Sequence, residues 1–280
     1  MKLIRYGALG SEKPGLVDAD GKYRDLSGIC DDIDAAALAD GLIEKLQGID
    51  PTSLPEIGSD VRLGACVGDV GKFLCIGLNY RDHAEESGMA IPSEPILFMK
   101  ATSAICGPND DVIIPTGSVK SDWEVELGVV IGRQAKRVPV ENALDYVAGY
   151  CVINDLSERE YQLEHGGQWV KGKSCDTFGP IGPWLVTSDE VPDPQALDMW
   201  LEVDGKRYQS GSTKTMIFPV AELVSYLSRY MSLQPGDIIS TGTPPGVGLG
   251  QKPPTYLKAD QTMTLSIEGL GTQRQRTVAE

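Results

Sequence analysis

The chain holds only two histidines, His83 and His165, so a histidine-rich zinc or iron site cannot be assembled from it. Its six cysteines (Cys30, Cys66, Cys75, Cys106, Cys151 and Cys175) are dispersed and make no CxxC, which argues against zinc ribbons and thioredoxin-like redox pairs. Several stand in apolar runs such as Phe73-Leu-Cys-Ile-Gly77, where a reduced, buried thiol is expected. Long apolar runs are also missing. None approaches the ~18 residues of a membrane span, and Met1-Lys-Leu-Ile-Arg-Tyr6 has no apolar stretch of signal-peptide length. The expected location is therefore the cytoplasm. Basic residues are in the minority, 25 Lys and Arg against 40 Asp and Glu, for a net charge of −15. That balance speaks against nucleic-acid backbones and anionic membranes as partners.

What is present reads as an ordinary globular protein. Its 280 residues suit one large domain or two unequal ones, and 41% hydrophobic with 23% charged residues is a common balance. Short strands and turns open the chain: Leu3–Tyr6, Pro14–Val17, the Asp20-Gly21 hairpin signal, then Tyr23–Leu26. Residues 31–47 carry Ala35, Leu38, Leu42 and Leu46 at helical spacing. A Pro-containing connector follows, placing a boundary near 55–70 and giving a small front domain (1–65) ahead of a larger one (66–280). In the larger part, strands are expected at Phe73–Leu78, Ile96–Met99, Val112–Ile114, Glu124–Gly132 and Val147–Asn154. A hairpin is expected over Leu201–Tyr208, and an amphipathic helix after Pro219. Strands without regular βαβ alternation predict an α+β, mostly β fold.

The segment Asp122-Trp-Glu124-Val-Glu126-Leu-Gly-Val-Val-Ile131 is the most informative. Side chains alternate along a strand, so Glu124 and Glu126 share a face, about 7 Å apart. Two carboxylates there repel unless something positive stands between them, and a metal ion is one answer. A solvated polar face is the other, although the following run is too apolar for an edge in water. Asp155, at the end of Val152-Ile-Asn154, reads either as a cap of the Ser-Glu-Arg-Glu helix start or as a third carboxylate. Together the three would make an oxygen-only site for Mg²⁺ or Mn²⁺.

The same residues carry a family resemblance. Asn79-Tyr-Arg-Asp-His83-Ala-Glu-Glu86, Glu94 to Lys100, Glu124 to Gly132, Asn154-Asp155-Leu-Ser-Glu-Arg159, Lys171 to Pro180 and Thr241 to Gly248 occur in order. As a set they resemble the fumarylacetoacetate hydrolase family over roughly residues 70–270. The front, Lys2 to Asp18 with Asp25-Leu-Ser27, is similar to that of bacterial members. The subgroup most resembled is the 2,4-diketo-3-deoxy-sugar-acid hydrolases (L-rhamnonate or L-fuconate type), often labelled ureidoglycolate lyase. The resemblance implies a mixed β-sandwich roll catalytic domain, a homodimer and one Mg²⁺ or Mn²⁺ per subunit on Glu124, Glu126 and Asp155. It implies Lys173 as an active-site lysine, and His83 with Glu86 as a water-activating pair on a lid. Arg159 and Gln162 match substrate-contacting positions, and Thr241 lies in the matching TGTP loop.

The chemistry suits a 2,4-diketo acid. Breaking its C3–C4 bond leaves pyruvate as an enolate, whose charge a metal acting as Lewis acid would stabilise. Lys173 would offset the carboxylates and hold an anionic substrate. An imidazole titrates at about pH 6.5, which fits His83 as the base that makes hydroxide; Glu86, three residues on, would orient it across a helical turn. Without the surrounding motifs His83 would read as a surface histidine. Lys100 either reaches the substrate or snorkels from a strand end. His165 reads as a helix-end cation, and Gly246-Val-Gly248-Leu-Gly250 as a tight turn beside the substrate, lacking GxGxxG spacing. The expected reaction is hydrolysis of a diketo sugar acid to pyruvate and a second acid such as lactate. Rival readings are other activities on the same site (acylpyruvate or fumarylpyruvate hydrolysis, oxaloacetate decarboxylation, dienoate isomerisation, ureidoglycolate cleavage) or a non-catalytic metal-binding protein.

Overall fold

A computed structural model of the chain describes residues 1–88 and 90–280. The front segment contains β1 (Lys2–Tyr6), β2 (Lys13–Val17), β3 (Tyr23–Asp25), α1 (Ala35–Ala39), α2 (Leu42–Gln47) and β4 (Glu56–Ile57). Next come β5 (Phe73–Gly77), α3 (Arg81–Ser87), β6 (Ile96–Lys100), β7 (Ile105–Cys106), β8 (Val112–Ile114), β9 (Ser121–Asp122) and β10 (Val125–Ile131). The middle holds β11 (Val147–Asn154), β12 (Ser157–Glu158), α4 (Arg159–Leu163), α5 (Val170–Lys173) and β13 (Gly179–Thr187). The chain closes with β14 (Asp198–Val203), β15 (Lys206–Ser212), α6 (Val220–Tyr230), β16 (Ile238–Ser240), β17 (Thr262–Ile267) and β18 (Gly271–Ala279).

The fold is α+β and mostly β. A large mixed sheet runs β4-β3-β2-β1-β13-β11-β10-β16-β5-β6, with β7 pairing β13; a five-stranded sheet runs β15-β14-β17-β18-β8. Val125, Leu127, Val129 and Ile131 of β10 point into a core shared with Met199, Leu201, Met263 and Leu265 of the smaller sheet. The opposite face of the large sheet, with Val130, Cys151 and Ile153, is covered by Leu38, Leu42 and Leu46 of the front helices. Burial on both faces explains why β10 and β11 read as unbroken apolar runs. The segment 1–65, expected as a small appended domain, extends the large sheet through β1, whose Lys2 and Leu3 pair with Val186 and Leu185.

The single helix expected over 31–47 is two short ones. Asp34 caps α1 by accepting from the Ala37 amide at 2.8 Å, and Gly41, at φ +75°, separates α1 from α2. A glycine can take that left-handed angle where other residues are strained. The hairpin at Asp204-Gly205 has both turn residues at positive φ, as a two-residue turn requires. α6 buries Val220, Leu223, Val224 and Leu227, as its spacing predicts. Among the described residues no helix is long and apolar enough to cross a membrane.

Candidate active site

The site grows from the antiparallel pairing of β10 and β11. Val125 lies opposite Asn154, so Glu124 and Asp155, one step beyond, are brought together, and the Asp155 amide donates to the Glu124 carbonyl at 2.9 Å. Glu126 sits one pleat further along β10, on the face opposite Val125 and Leu127. The end of β16 and the loop after it supply its anchors: Ser240 Oγ at 2.6 Å and the Gly242 amide at 2.8 Å both donate to Glu126 Oε2. Gly242 is at φ +98°, and a Cβ there would stand 2.8 Å from Asn79 Cβ, so glycine is needed to present that amide. Asn79 fixes the same loop by donating to the Thr241 carbonyl at 2.8 Å. Glu124, Glu126 and Asp155, all buried, each offer an oxygen lying within 4.8 Å of the others.

Three cations thread these acids. Lys173 Nζ bridges Glu124 Oε2 (2.6 Å) and Asp155 Oδ2 (2.8 Å). Arg159 donates to Glu124 Oε1 at 2.7 Å, to Asp122 Oδ2 at 2.8 Å and to Gln162 Oε1 at 3.0 Å. Lys100 Nζ donates to Asp155 Oδ1 at 2.6 Å and to the Leu156 carbonyl at 2.9 Å. Burial alone would raise the Glu124 carboxyl, but Lys173 and Arg159 outweigh it and hold it down to about 2. Burial would likewise lower the Lys173 ammonium, yet Asp155 and Glu124 reverse that and keep it above its ordinary range. Lys173 is thus a fixed cation rather than a proton acceptor. Glu126 goes the other way: burial, then repulsion from Asp155 and Glu124, pushes its carboxyl well above the usual range.

That asymmetry fits a divalent cation. Oxygen-only donors suit a hard ion, and with both protein bonds on Oε2, Glu126 Oε1 is left for the cavity that the residue lines. Asp122, Glu124, Glu126 and Asp155 against Lys100, Arg159 and Lys173 leave one net negative charge when all are ionised, and none when Glu126 is protonated. Glu126 ionises in the unfolded chain but stays protonated in the metal-free fold, from the ordinary carboxylate pKa up to its raised one. A ligating carboxylate must lose that proton, so cation uptake releases it and affinity climbs with pH through this window, by up to about tenfold per unit. Mn²⁺ titrations at a series of pH values upward from the ordinary carboxylate range should show the climb, and Glu126→Gln should remove it along with most of the affinity. A flat pH dependence in the wild type would refute this account of Glu126.

A cavity of about 560 Å³ opens over the carboxylates. Its walls include Glu124, Glu126, Arg159, Gln162 and Lys173, together with His83 and Glu86 of α3. His83 Nδ1 lies 3.2 Å from Glu86 Oε2, which also accepts from the Gly246 amide at 3.3 Å. The expected three-residue spacing thus forms the pair. In the tautomer that donates from Nδ1 to this carboxylate, the basic lone pair belongs to Nε2. Phe98 and Trp169, in edge contact at 5.3 Å between ring centres, make an apolar wall with Leu163, Val247 and Leu249. Gln251 and Lys252 stand on the cavity lining as polar groups.

The other sequence-derived positions lie off the cavity. Lys100 is 1% exposed and spent on Asp155, so it supports a carboxylate from behind instead of facing the opening. Thr241 is buried, its hydroxyl donating to the Leu127 carbonyl at 2.9 Å, while its neighbours Gly242 and Thr243 line the cavity. Asp155 does not cap α4; Glu158 does, accepting from the Tyr161 amide at 2.7 Å. His165 is exposed, 3.6 Å from Glu160. Asp122, Ser240 and Trp169 were not singled out from sequence. For Asp122 the signal was present, because Asp122, Glu124 and Glu126 continue one alternation while Trp123, Val125 and Leu127 enter the core.

A family model described as fumarylacetoacetate (FAA) hydrolase C-terminal matches residues 72–278. A protein of Burkholderia cenocepacia strain HI2424, carrying a provisional hydrolase name, is 65% identical over 278 residues, covering 99% of each chain. The fumarylacetoacetate hydrolase of Exiguobacterium antarcticum is similar in structure, with a TM-score of 0.90 and 36% identity over 100% of both chains. Maleylpyruvate hydrolase of Sphingobium sp. SYK-6, solved with manganese(II) and pyruvate, gives a TM-score of 0.82 at 27% identity, over 100% of this chain and 99% of that one.

Proposed function

The chain belongs to the fumarylacetoacetate hydrolase family, and on that footing we propose that it is a divalent-metal-dependent hydrolase cleaving the C3–C4 bond of a 2,4-diketo acid. The observation that carries this reading is the meeting of the His83–Glu86 pair and the Glu124 and Glu126 carboxylates on the walls of one cavity. Mg²⁺ or Mn²⁺ is the proposed ion, held by Glu124, Glu126 and Asp155; the manganese and pyruvate bound to the maleylpyruvate hydrolase support both the metal class and the pyruvate product. When bound, the ion supplies Lewis-acid stabilisation for charge building on the 2-oxygen.

The chain's own groups do the rest. His83 Nε2 takes a proton from water, and Glu86 holds the ring and steadies the imidazolium. Hydroxide adds to the C4 carbonyl. The C3–C4 bond then breaks, its electron pair passing to C3, which takes the proton back from the His83 imidazolium to give pyruvate while the acyl part leaves as an acid. Lys173, fixed as a cation, and Arg159 on the cavity wall favour the anionic end of the substrate.

Within this class a 2,4-diketo-3-deoxy-sugar acid of rhamnonate or fuconate type is proposed as substrate, giving pyruvate and lactate. Gln162, Gln251 and Lys252 support it, as hydrogen-bonding groups for hydroxyls. The apolar wall of Phe98, Trp169, Leu163 and Leu249 favours a second reading, an alkyl- or aryl-acylpyruvate. A pyruvate-release assay over both panels, with Mg²⁺, Mn²⁺ or EDTA, decides. Release from at least one panel member with metal, and none with EDTA, is expected; no release from any diketo acid with either ion would sink the hydrolase reading.

A further inference from the structure

Asp122 is fully buried at the end of β9 and accepts four hydrogen bonds. Oδ1 takes the Trp123 amide at 2.8 Å and the Gly248 amide at 2.6 Å; Oδ2 takes the Leu249 amide at 2.9 Å and Arg159 Nε at 2.8 Å. Gly248 and Leu249 belong to the same short loop as Gly246, whose amide meets Glu86 of α3. Arg159, on the other side, holds Glu124 and Gln162. One carboxylate therefore stands between the loop that receives the His83–Glu86 helix and the arginine that aims a carboxylate of the cation set. We propose that Asp122 is a positioning residue that couples the seat of α3 to Glu124 through Arg159.

A plain ion pair would not need this arrangement. Arg159 already has Glu124 as a counter-charge, whereas Gly248 is buried and its amide needs an acceptor from the protein. What the carboxylate adds is two acceptor oxygens at a fixed separation, both engaged by the loop amides and one of them, Oδ2, shared with Arg159. An asparagine of the same shape has one acceptor oxygen and a donor in place of the other, so one side of the bridge meets donor against donor. Losing that side leaves buried donors unsatisfied and frees the loop.

The exchange arm of the test needs no substrate; the kinetic arm rests on the hydrolase reading above. Asp122→Asn should speed hydrogen exchange of the Gly248 and Leu249 amides by at least about tenfold, while the Val129 and Ile131 amides of β10 keep their protection. Arg159→Lys should also speed exchange at Gly248 and Leu249, although residue 159 donates no hydrogen bond to that loop. If Asp122→Asn fails to fold, Arg159→Lys carries the test alone. Against a substrate found in the panel, Asp122→Asn should cut kcat about 10²-fold with KM little changed. In a Glu86→Gln background the same substitution should cost much less, because both act on one seat. Unchanged loop exchange in Arg159→Lys, or independent kinetic effects of Asp122 and Glu86, would overturn the coupling. Failure of the hydrolase reading is separate: the wild type would then release no pyruvate, with the exchange results still standing.

Discussion

Replacing His83 with alanine should lower pyruvate release by about 10²–10⁴-fold while Mn²⁺ binding is retained. The expectation rests on where the imidazole stands. His83 lines the cavity from α3, outside the carboxylate set, with Glu86 at 3.2 Å as its orienting partner. Removing it takes away the proposed base and leaves Glu124, Glu126 and Asp155 with their bonds to Lys173, Arg159, Ser240 and Gly242. The substitution also separates reactions that share the site. Hydrolysis needs an attacking hydroxide; decarboxylation of oxaloacetate needs only stabilisation of an enolate, so any such activity should survive in His83→Ala. Glu86→Gln should be milder, since it weakens orientation without removing the base. Full pyruvate release by His83→Ala would place the base elsewhere, and loss of Mn²⁺ binding would make the histidine part of the cation site.

How much of this was legible in the sequence depends on how local each signal is. The alternation from Glu124 to Ile131 is a property of one strand, so the shared face of the two glutamates could be read directly, and the core side fell where the pattern put it. The meeting of Glu124 with Asp155 depends on the register of β10 against β11, which no spacing along the chain reveals; there, family resemblance supplied the link. Lys100 shows the limit most clearly. A lysine at a strand end can point to solvent or inward, and here it is buried against Asp155 because β6 lies beside β5 at the edge of the site. The anchors of Glu126 come from the end of β16 and the loop after it, more than a hundred residues away in sequence. The break at Gly41 was visible as a residue, but one glycine costs only about 1 kcal/mol in a helix, so periodicity over 31–47 outweighed it.

Lys173→Met should destabilise the metal-free protein by about 3–5 kcal/mol, a fall in Tm of roughly 6–20 °C for a chain of this size. The side chain is 2% exposed, and its ammonium is shared by Glu124 and Asp155. Methionine fills the space and removes the charge, so two buried carboxylates lose a counter-ion; among the described residues Glu124 keeps Arg159 and Asp155 keeps Lys100. The pH dependence has a definite sign. Glu124 is held down to about 2 in the folded wild type, so its pairing contributes stability above the unfolded carboxylate pKa, lost as pH falls toward 2. In Lys173→Met burial regains the upper hand on that carboxyl and the contribution shrinks. The deficit between variant and wild type should therefore be largest near neutral pH and narrow as pH drops below about 4.5. A divalent cation can take over part of the lost charge balance, so saturating Mn²⁺ should raise the variant's Tm by more than the wild type's. Turnover should not recover with it, because the fixed cation beside the substrate is gone. Calorimetry at two pH values, with and without Mn²⁺, reads all of this. Equal melting of variant and wild type without metal would mean that Lys173 is not what holds Glu124 ionised.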